Sequence, residues 1–266
     1  MKTLTKMSQT PINVTKTGIK TLQIRRKTVA EICIKKKKIT LYERGQIMEA
    51  LNKMYVWMPQ LLNGAKMTII ITIISVTIGL LLSLFLALGK MSKNPILNKP
   101  CSAYIFFFRG TPLLMQIYFI YFGLPQFNPA LTIKSAFVAA LIAYTLNTSA
   151  YLAENIRAGI ESIDRGQFEA SKALGMTYGQ TMRLIIIPQT VRRLIPPVGN
   201  EFIMVLKDVS LVAIIGLSDL TKVTRAISSS AATALVYIPA MIIYLIITAF
   251  FTFFFNKMEK KYSVYQ

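Results

Sequence analysis

Residues 67–89 read MTIIITIISVTIGLLLSLFLALG, a run of 23 residues without a charge. At 1.5 Å per residue a helix over it crosses about 30 Å of hydrocarbon, and in lipid only a helix or a closed barrel satisfies its own backbone polar groups. The run therefore commits the chain to an all-α integral membrane fold. Further apolar segments at about 104–124, 136–153, 194–217 and 236–255 bring the expectation to about five transmembrane helices. Composition agrees, with 53% apolar residues against about 45–50% in soluble domains, and a mean hydropathy of +0.49. Along 67–89, Ser75, Gly79, Ser83 and Ala87 recur every fourth residue, a stripe suited to close helix packing rather than to transport.

The net charge of +20 would suggest nucleic acid in a soluble protein, but in a membrane protein it is first read for orientation. With the 154–193 connector inside the cell, the inner segments carry twelve Lys and Arg and the outer segments after residue 47 carry five. That bias predicts an outside N-terminus and a cytoplasmic C-terminus. Residues 1–47 do not fit it, holding twelve basic residues against Glu31 and Glu43. They are expected to be disordered or untranslated, since Glu43, Arg44 and Gly45 can be encoded by a purine-rich ribosome-binding site just ahead of Met48. A basic tail on lipid head groups is the alternative. Residues 48–66 form a pre-span segment, 63–258 the membrane domain, and 259–266 a cytoplasmic tail.

The connector contains EASKALGMTYGQTMRLIIIP, from Glu169 to Pro188. Asp164 is expected to cap a helix there, with Gln167 closing a capping box and Glu169 near the positive end of the dipole. Ala170, Ala173, Leu174 and Thr177 then share a face. Gly175 falls mid-helix at a cost of about 1 kcal/mol relative to Ala, which suggests close approach by another backbone; an incidental glycine on a surface helix is the plainer alternative.

This run resembles the EAA loop of bacterial ATP-binding-cassette importer permeases, with the pattern E-A-A-x3-G-x9-I-x-L-P. Glu169, Ala170, Ser171, Gly175, Ile185 and Pro188 hold its register, with Ser171 for the third residue and Ile187 for the Leu. FRGTPLL (109–114 with Phe108), AYLAENIRAGI and GNEFIMVLKD are similar to the polar amino-acid branch (histidine, glutamate, glutamine, arginine and opines), in the family's order. The resemblance implies a MetI-like type I importer fold in the bacterial cytoplasmic membrane. It also implies that a separate cytoplasmic ATPase dimer holds ATP and Mg and receives the EAA helix. A second permease subunit and an extracytoplasmic amino-acid-binding protein complete the expected assembly.

Ionisable residues at bilayer depth mark a path or a packing contact. Arg109 lies among phenylalanines, where it either snorkels to the interface or, with Gly110 and Pro112 distorting the helix, faces a cavity. In the fourth segment Glu201 and Asp208 are seven apart on one helical face, and Lys207 is turned about 100° away. One reading makes this helix line the pathway, with Glu201 facing an ammonium or guanidinium and Asn200 and Ser210 adding neutral contacts. The other has Lys207 and Asp208 tying neighbouring helices or subunits by ion pairs. Arg192 and Arg193 anchor at head groups or dock a partner.

The sequence has no His, no phosphate-loop pattern, and cysteines (Cys33 and Cys101) without ligand spacing. A non-enzymatic transport component without its own cofactor or metal is expected, bound to lipid and not to nucleic acid. An ATP-independent secondary transporter or channel is the competing class; it would need its own coupling-ion site and usually internal repeats, which the five segments do not show.

Overall fold

The computed structural model describes residues 16–262 as backbone, and as side chains residues 48–49 and 51–262. Two compact units divide at Tyr55, the second holding everything from Val56 on. Helix α1 (Lys16–Met91) begins inside the basic extension for which disorder was expected. Three helical stretches among the described residues are long and apolar enough to cross a membrane: Leu51–Met91, Ala136–Glu161 and Tyr237–Tyr262.

The second apolar segment is broken. Asn94 caps α2 (Pro95–Gly110) by accepting from the Ile96 N–H at 3.0 Å, so most of the expected 90–100 connector is helix. After Gly110 the chain turns by 105° into α3 (Leu113–Tyr118), a π-turn (Phe119–Gly123) and α4 (Leu124–Phe127). Pro112 supplies the reason. It has no N–H for the Phe108 carbonyl four residues back, so the ladder stops there. That carbonyl instead accepts from Gln116 Nε2 and Asn147 Nδ2, both at 3.0 Å.

A short 3-10 turn (Pro129–Leu131) leads to α5 (Ala136–Glu161), the central helix. The small-residue stripe of α1 packs on it: Ser75, Gly79, Ser83 and Ala87 are buried. A Cβ on Gly79 would stand 3.4 Å from the Thr145 carbonyl and the Thr148 side chain. Thr68 and Thr72 satisfy their hydroxyls on the carbonyls of Gly64 and Thr68, at 3.2 and 2.9 Å, whereas the buried hydroxyls of Ser75 and Thr148 have no partner among the described residues.

The EAA run is not the single helix expected. Helix α6 (Arg165–Ala173) ends at Leu174, and Gly175 takes φ +74°. The Met176 N–H reaches the Ser171 carbonyl and the Gly175 N–H the Lys172 carbonyl, both at 3.0 Å. These are the two bonds of a Schellman motif, with glycine in the left-handed position that a Cβ disfavours. Nothing lies within 4 Å of a Cβ placed on Gly175, so among the described residues no backbone packs there. Asp164 does cap α6, accepting from the Gly166 N–H at 2.6 Å, but the capping box forms at the next start, between Thr177 and Gln180. Thr177 therefore does not share a face with Ala170 and Ala173.

From that second start the chain is helical without interruption: α7 (Tyr178–Thr181), a π-turn (Met182–Ile186) and α8 (Ile187–Asp208). Pro188 directly follows the π-turn, at a point in this continuous path where a proline has no N–H to give the ladder. Helix α8 packs between α5 and α10. It is not among the membrane-crossing candidates, because every 18-residue stretch of it carries at least three charges. The described residues thus provide three such helices, four with the broken pair, where five were expected. A 3-10 segment (Val209–Ile215), α9 (Leu220–Ser230) and α10 (Tyr237–Tyr262) complete the domain. Its main core is centred on Tyr144, Leu152, Val209 and Val212, and the Tyr144 hydroxyl donates to the Asp208 carbonyl at 2.5 Å.

Candidate functional site

The break between α2 and α3 exposes polar backbone at the side of α5 and α8, and a cavity of about 310 Å³ opens there. Arg109, Gly110 and Thr111 line it from the break, Asn147 and Tyr151 from α5, and Glu201 and Asp208 from α8. The seven-residue spacing puts both carboxylates on one face of α8, with Met204 and Val205 between them. Glu201 is 8% exposed. Among the described residues no hydrogen bond and no ion pair within 4 Å reaches the carboxylate of Glu201 or Asp208. Glu201, buried without such a partner, is costly to hold charged, and Asp208 is exposed on the same face, so the arrangement is suited to a group that arrives with positive charge.

The wall behind the cavity is a satisfied polar network. Asn147 Nδ2 also donates to Gln116 Oε1 at 3.0 Å, and Gln116 Nε2 donates to the Thr111 hydroxyl at 2.8 Å and the Thr111 carbonyl at 3.1 Å. Two amides thus replace the helical bonds that Pro112 removes and hold the 105° bend open. Arg109, half-exposed, places its guanidinium 5.4 Å from the Tyr151 ring centroid and 3.9 Å from Glu154.

Arg109, Glu201 and Asp208 are therefore brought together. Asn200 and Lys207 are exposed and Ser210 is half-buried in the 3-10 segment, and none of these three lines the cavity. Asn200 and Lys207 are each one residue, about 100°, off the Glu201–Asp208 face, and Ser210 lies beyond the end of α8. The alternative role for Lys207 and Asp208 finds no ion pair within this chain among the described residues. Gln116, Asn147 and Tyr151 escaped the sequence reading. Gln116 carried a signal, as an amide four residues after a proline that orphans a carbonyl, and Asn147 a weaker one, as an amide in an apolar segment; Tyr151 carried none.

The residues expected from the EAA resemblance to couple to an ATPase lie elsewhere. Glu169 and Ala170 are exposed on α6, while Ser171 is buried and donates to the Gln167 carbonyl at 2.6 Å. Leu174 and Tyr178 are strongly exposed. Ile185 lies in the π-turn and Pro188 just beyond it, where Ile186 enters the second apolar core beside Ile156 and Ile160.

Residues 75–264 match the family model described as the binding-protein-dependent transport system inner membrane component. The chain belongs to this family. It is a multi-pass inner-membrane transport component and not an enzyme, and its membership sets aside the reading as a self-sufficient secondary transporter. It is similar to the probable amino-acid ABC transporter permease protein YckA of Bacillus subtilis (strain 168), 38% identical over 208 residues that cover 78% of this chain and 91% of the relative. Among solved structures it is similar to an amino acid ABC transporter crystallised with histidines, with TM-score 0.75, 42% identity, and coverage of 79% of this chain and 97% of that one. An inward-facing MetNI methionine ABC transporter shares the fold, with TM-score 0.65 and 19% identity over 77% of this chain and 97% of that one. The MetI-like permease architecture expected from the sequence is thus the fold of this chain, and family membership brings ATPase and binding-protein partners in general.

Proposed function

We propose that this chain is the permease through which a polar amino acid crosses the membrane, and that the cavity between the α2–α3 break, α5 and α8 is its binding place on the way. The observation that carries this reading is the meeting of one cation, Arg109, with two unpartnered carboxylates, Glu201 and Asp208, on a cavity of amino-acid scale. An α-carboxylate fits the guanidinium and an ammonium fits the carboxylates, with Asn147 and Thr111 nearby for neutral polar groups.

ATP and Mg are assigned to a cytoplasmic ATPase dimer, with a second permease subunit and an extracytoplasmic binding protein completing the machine. The coupling surface is α6 with the start of α7, where Glu169, Ala170, Leu174 and Tyr178 face outward. Residues 178–208 form one uninterrupted helical path from that surface to Glu201 and Asp208. A displacement applied near Tyr178 is passed along this helical path to the cavity wall with no loop between, its ladder relaxed only at the π-turn, Pro188, Pro196 and Pro197. The orientation that serves this scheme is N-terminus outside and C-terminus inside, with the polypeptide starting near Met48, which intact-mass measurement checks.

The test is Glu201→Gln in the transporter reconstituted with its ATPase, followed by uptake of labelled arginine, histidine and glutamine. Loss of one charged partner is expected to weaken apparent affinity about tenfold or more for a transported amino acid. Unchanged affinity for all of them removes Glu201 from the path.

A further inference from the structure

One turn beyond Tyr151 on α5, three cations converge on one carboxylate. Glu154 Oε1 accepts from Lys90 Nζ at the end of α1. Its Oε2 accepts from Arg157 Nε and Nη2 at 2.9 and 2.8 Å, and Arg109 Nη1 lies 3.9 Å from the same oxygen. Arg157 has a second partner in Glu161, at 2.5 Å. Arg109 has no such partner. Among the described residues its guanidinium makes no hydrogen bond, and its contacts are the distant Glu154 oxygen and the Tyr151 ring.

Arg109 thus stands between two sources of negative charge. On one side is Glu154, its side chain 12% exposed and its lone pairs largely taken by Lys90 and Arg157. On the other are Glu201 and Asp208, which line the same cavity and, among the described residues, have no hydrogen bond or ion pair. Were Arg109 to swing across and pair with Glu201, the cavity would lose its cation and a carboxylate together. A zwitterion needs both signs left unspent, so something must hold the guanidinium back.

We propose that Glu154 is the positioning residue for Arg109: its charge keeps the guanidinium against Tyr151 and off Glu201, so that the empty cavity presents separated charges to an incoming zwitterion. This inference rests on the reading of the cavity as the amino-acid site. Asn147, Tyr151 and Glu154 follow one another at four- and three-residue spacing along α5, so a single helix face carries the network that shapes the cavity, the ring beneath the guanidinium and the carboxylate behind it.

The experiment uses the intact transporter in proteoliposomes, with initial uptake rates of labelled arginine, histidine and glutamine across Glu154→Gln, Arg109→Gln, the double variant and Lys90→Gln. Glu154→Gln is expected to raise KM about tenfold with kcat nearly kept, and to have no further effect on KM in the Arg109→Gln background. Lys90→Gln, which removes a tie between α1 and α5 but leaves the Glu154 charge, is expected to keep the original KM. Additive effects of Glu154→Gln and Arg109→Gln, or a Lys90→Gln phenotype equal to that of Glu154→Gln, would show a mere staple and overturn the proposal while leaving the cavity reading intact. If Arg109→Gln alone changes KM for none of the three amino acids, the cavity reading itself fails and takes this inference with it. Should Glu154→Gln not assemble, Glu154→Asp withdraws the charge by one methylene; a smaller rise in KM, absent when Arg109 is Gln, supports the proposal, and an unchanged KM overturns it.

Discussion

The turn at Gly175 can be tested with unusual separation of causes. Gly175 holds the left-handed position of the Schellman motif at φ +74°, and a Cβ built there meets nothing within 4 Å. Crowding inside this chain therefore contributes nothing to the effect of a substitution, and the cost is that of the backbone conformation alone. For an L-residue with a Cβ that cost is about 1–2 kcal/mol, or roughly a 5–30-fold shift between the bent turn and its alternatives. Asn, which tolerates the left-handed region, loses much less, and Val, β-branched, loses most. The direct readout is hydrogen exchange, because the Met176 amide is held by the Ser171 carbonyl and is released when the turn opens. Peptides covering 171–181 of the assembled transporter are expected to lose protection in the order Gly, Asn, Ala, Val, with Ala near 5–30-fold. Uptake per ATP hydrolysed should fall in the same order. Equal damage from Asn and Val would refute the backbone argument, and would point instead to side-chain bulk in a partner's groove. Ala indistinguishable from Gly in exchange would refute it as well.

Two further substitutions probe the frame around the site. Gly64→Val brings a Cβ to 2.8 Å from the Leu220 Cα and 2.9 Å from the Asp219 carbonyl, both backbone. It is expected to lower the melting temperature of the detergent-solubilised complex by an amount matching at least about 1–3 kcal/mol, and an unchanged melting curve contradicts the contact. Asp219→Ala removes the acceptor for the Thr221 and Lys222 N–H groups, each at 2.9 Å, from a fully buried cap of α9. A loss of about 0.5–2 kcal/mol is expected in the same assay, with Asp219→Asn retaining most of it.

Much of this protein was legible before any coordinates, because the bilayer admits few solutions. An uncharged 67–89 has to be a membrane-crossing helix, a four-residue small stripe has to meet another backbone, and Pro112 has to interrupt a ladder. The spacing of Glu201 and Asp208 likewise placed them on one face, since α-helical rotation is the same in every protein. Where local rules were extended past their range they misled. The apolar pattern continues through Gly175 as if the helix did; the pattern records faces, whereas the sign of φ at one residue decides whether the helix goes on.

What no local pattern carries is which faces meet. Asn200 and Ser210 looked as suitable as Glu201 for a pathway, and only the packing of α8 against α5 and α10 turned them out of the cavity. Gln116 and Asn147 lie 31 residues apart and become one network only because α3 folds back along α5. The convergence of Lys90, Arg109 and Arg157 on Glu154 joins three helices through side chains up to 67 positions apart. Hydropathy and helical spacing act along the chain and so can be read from it, whereas charge pairing acts through space, at distances set by the packing of the helices.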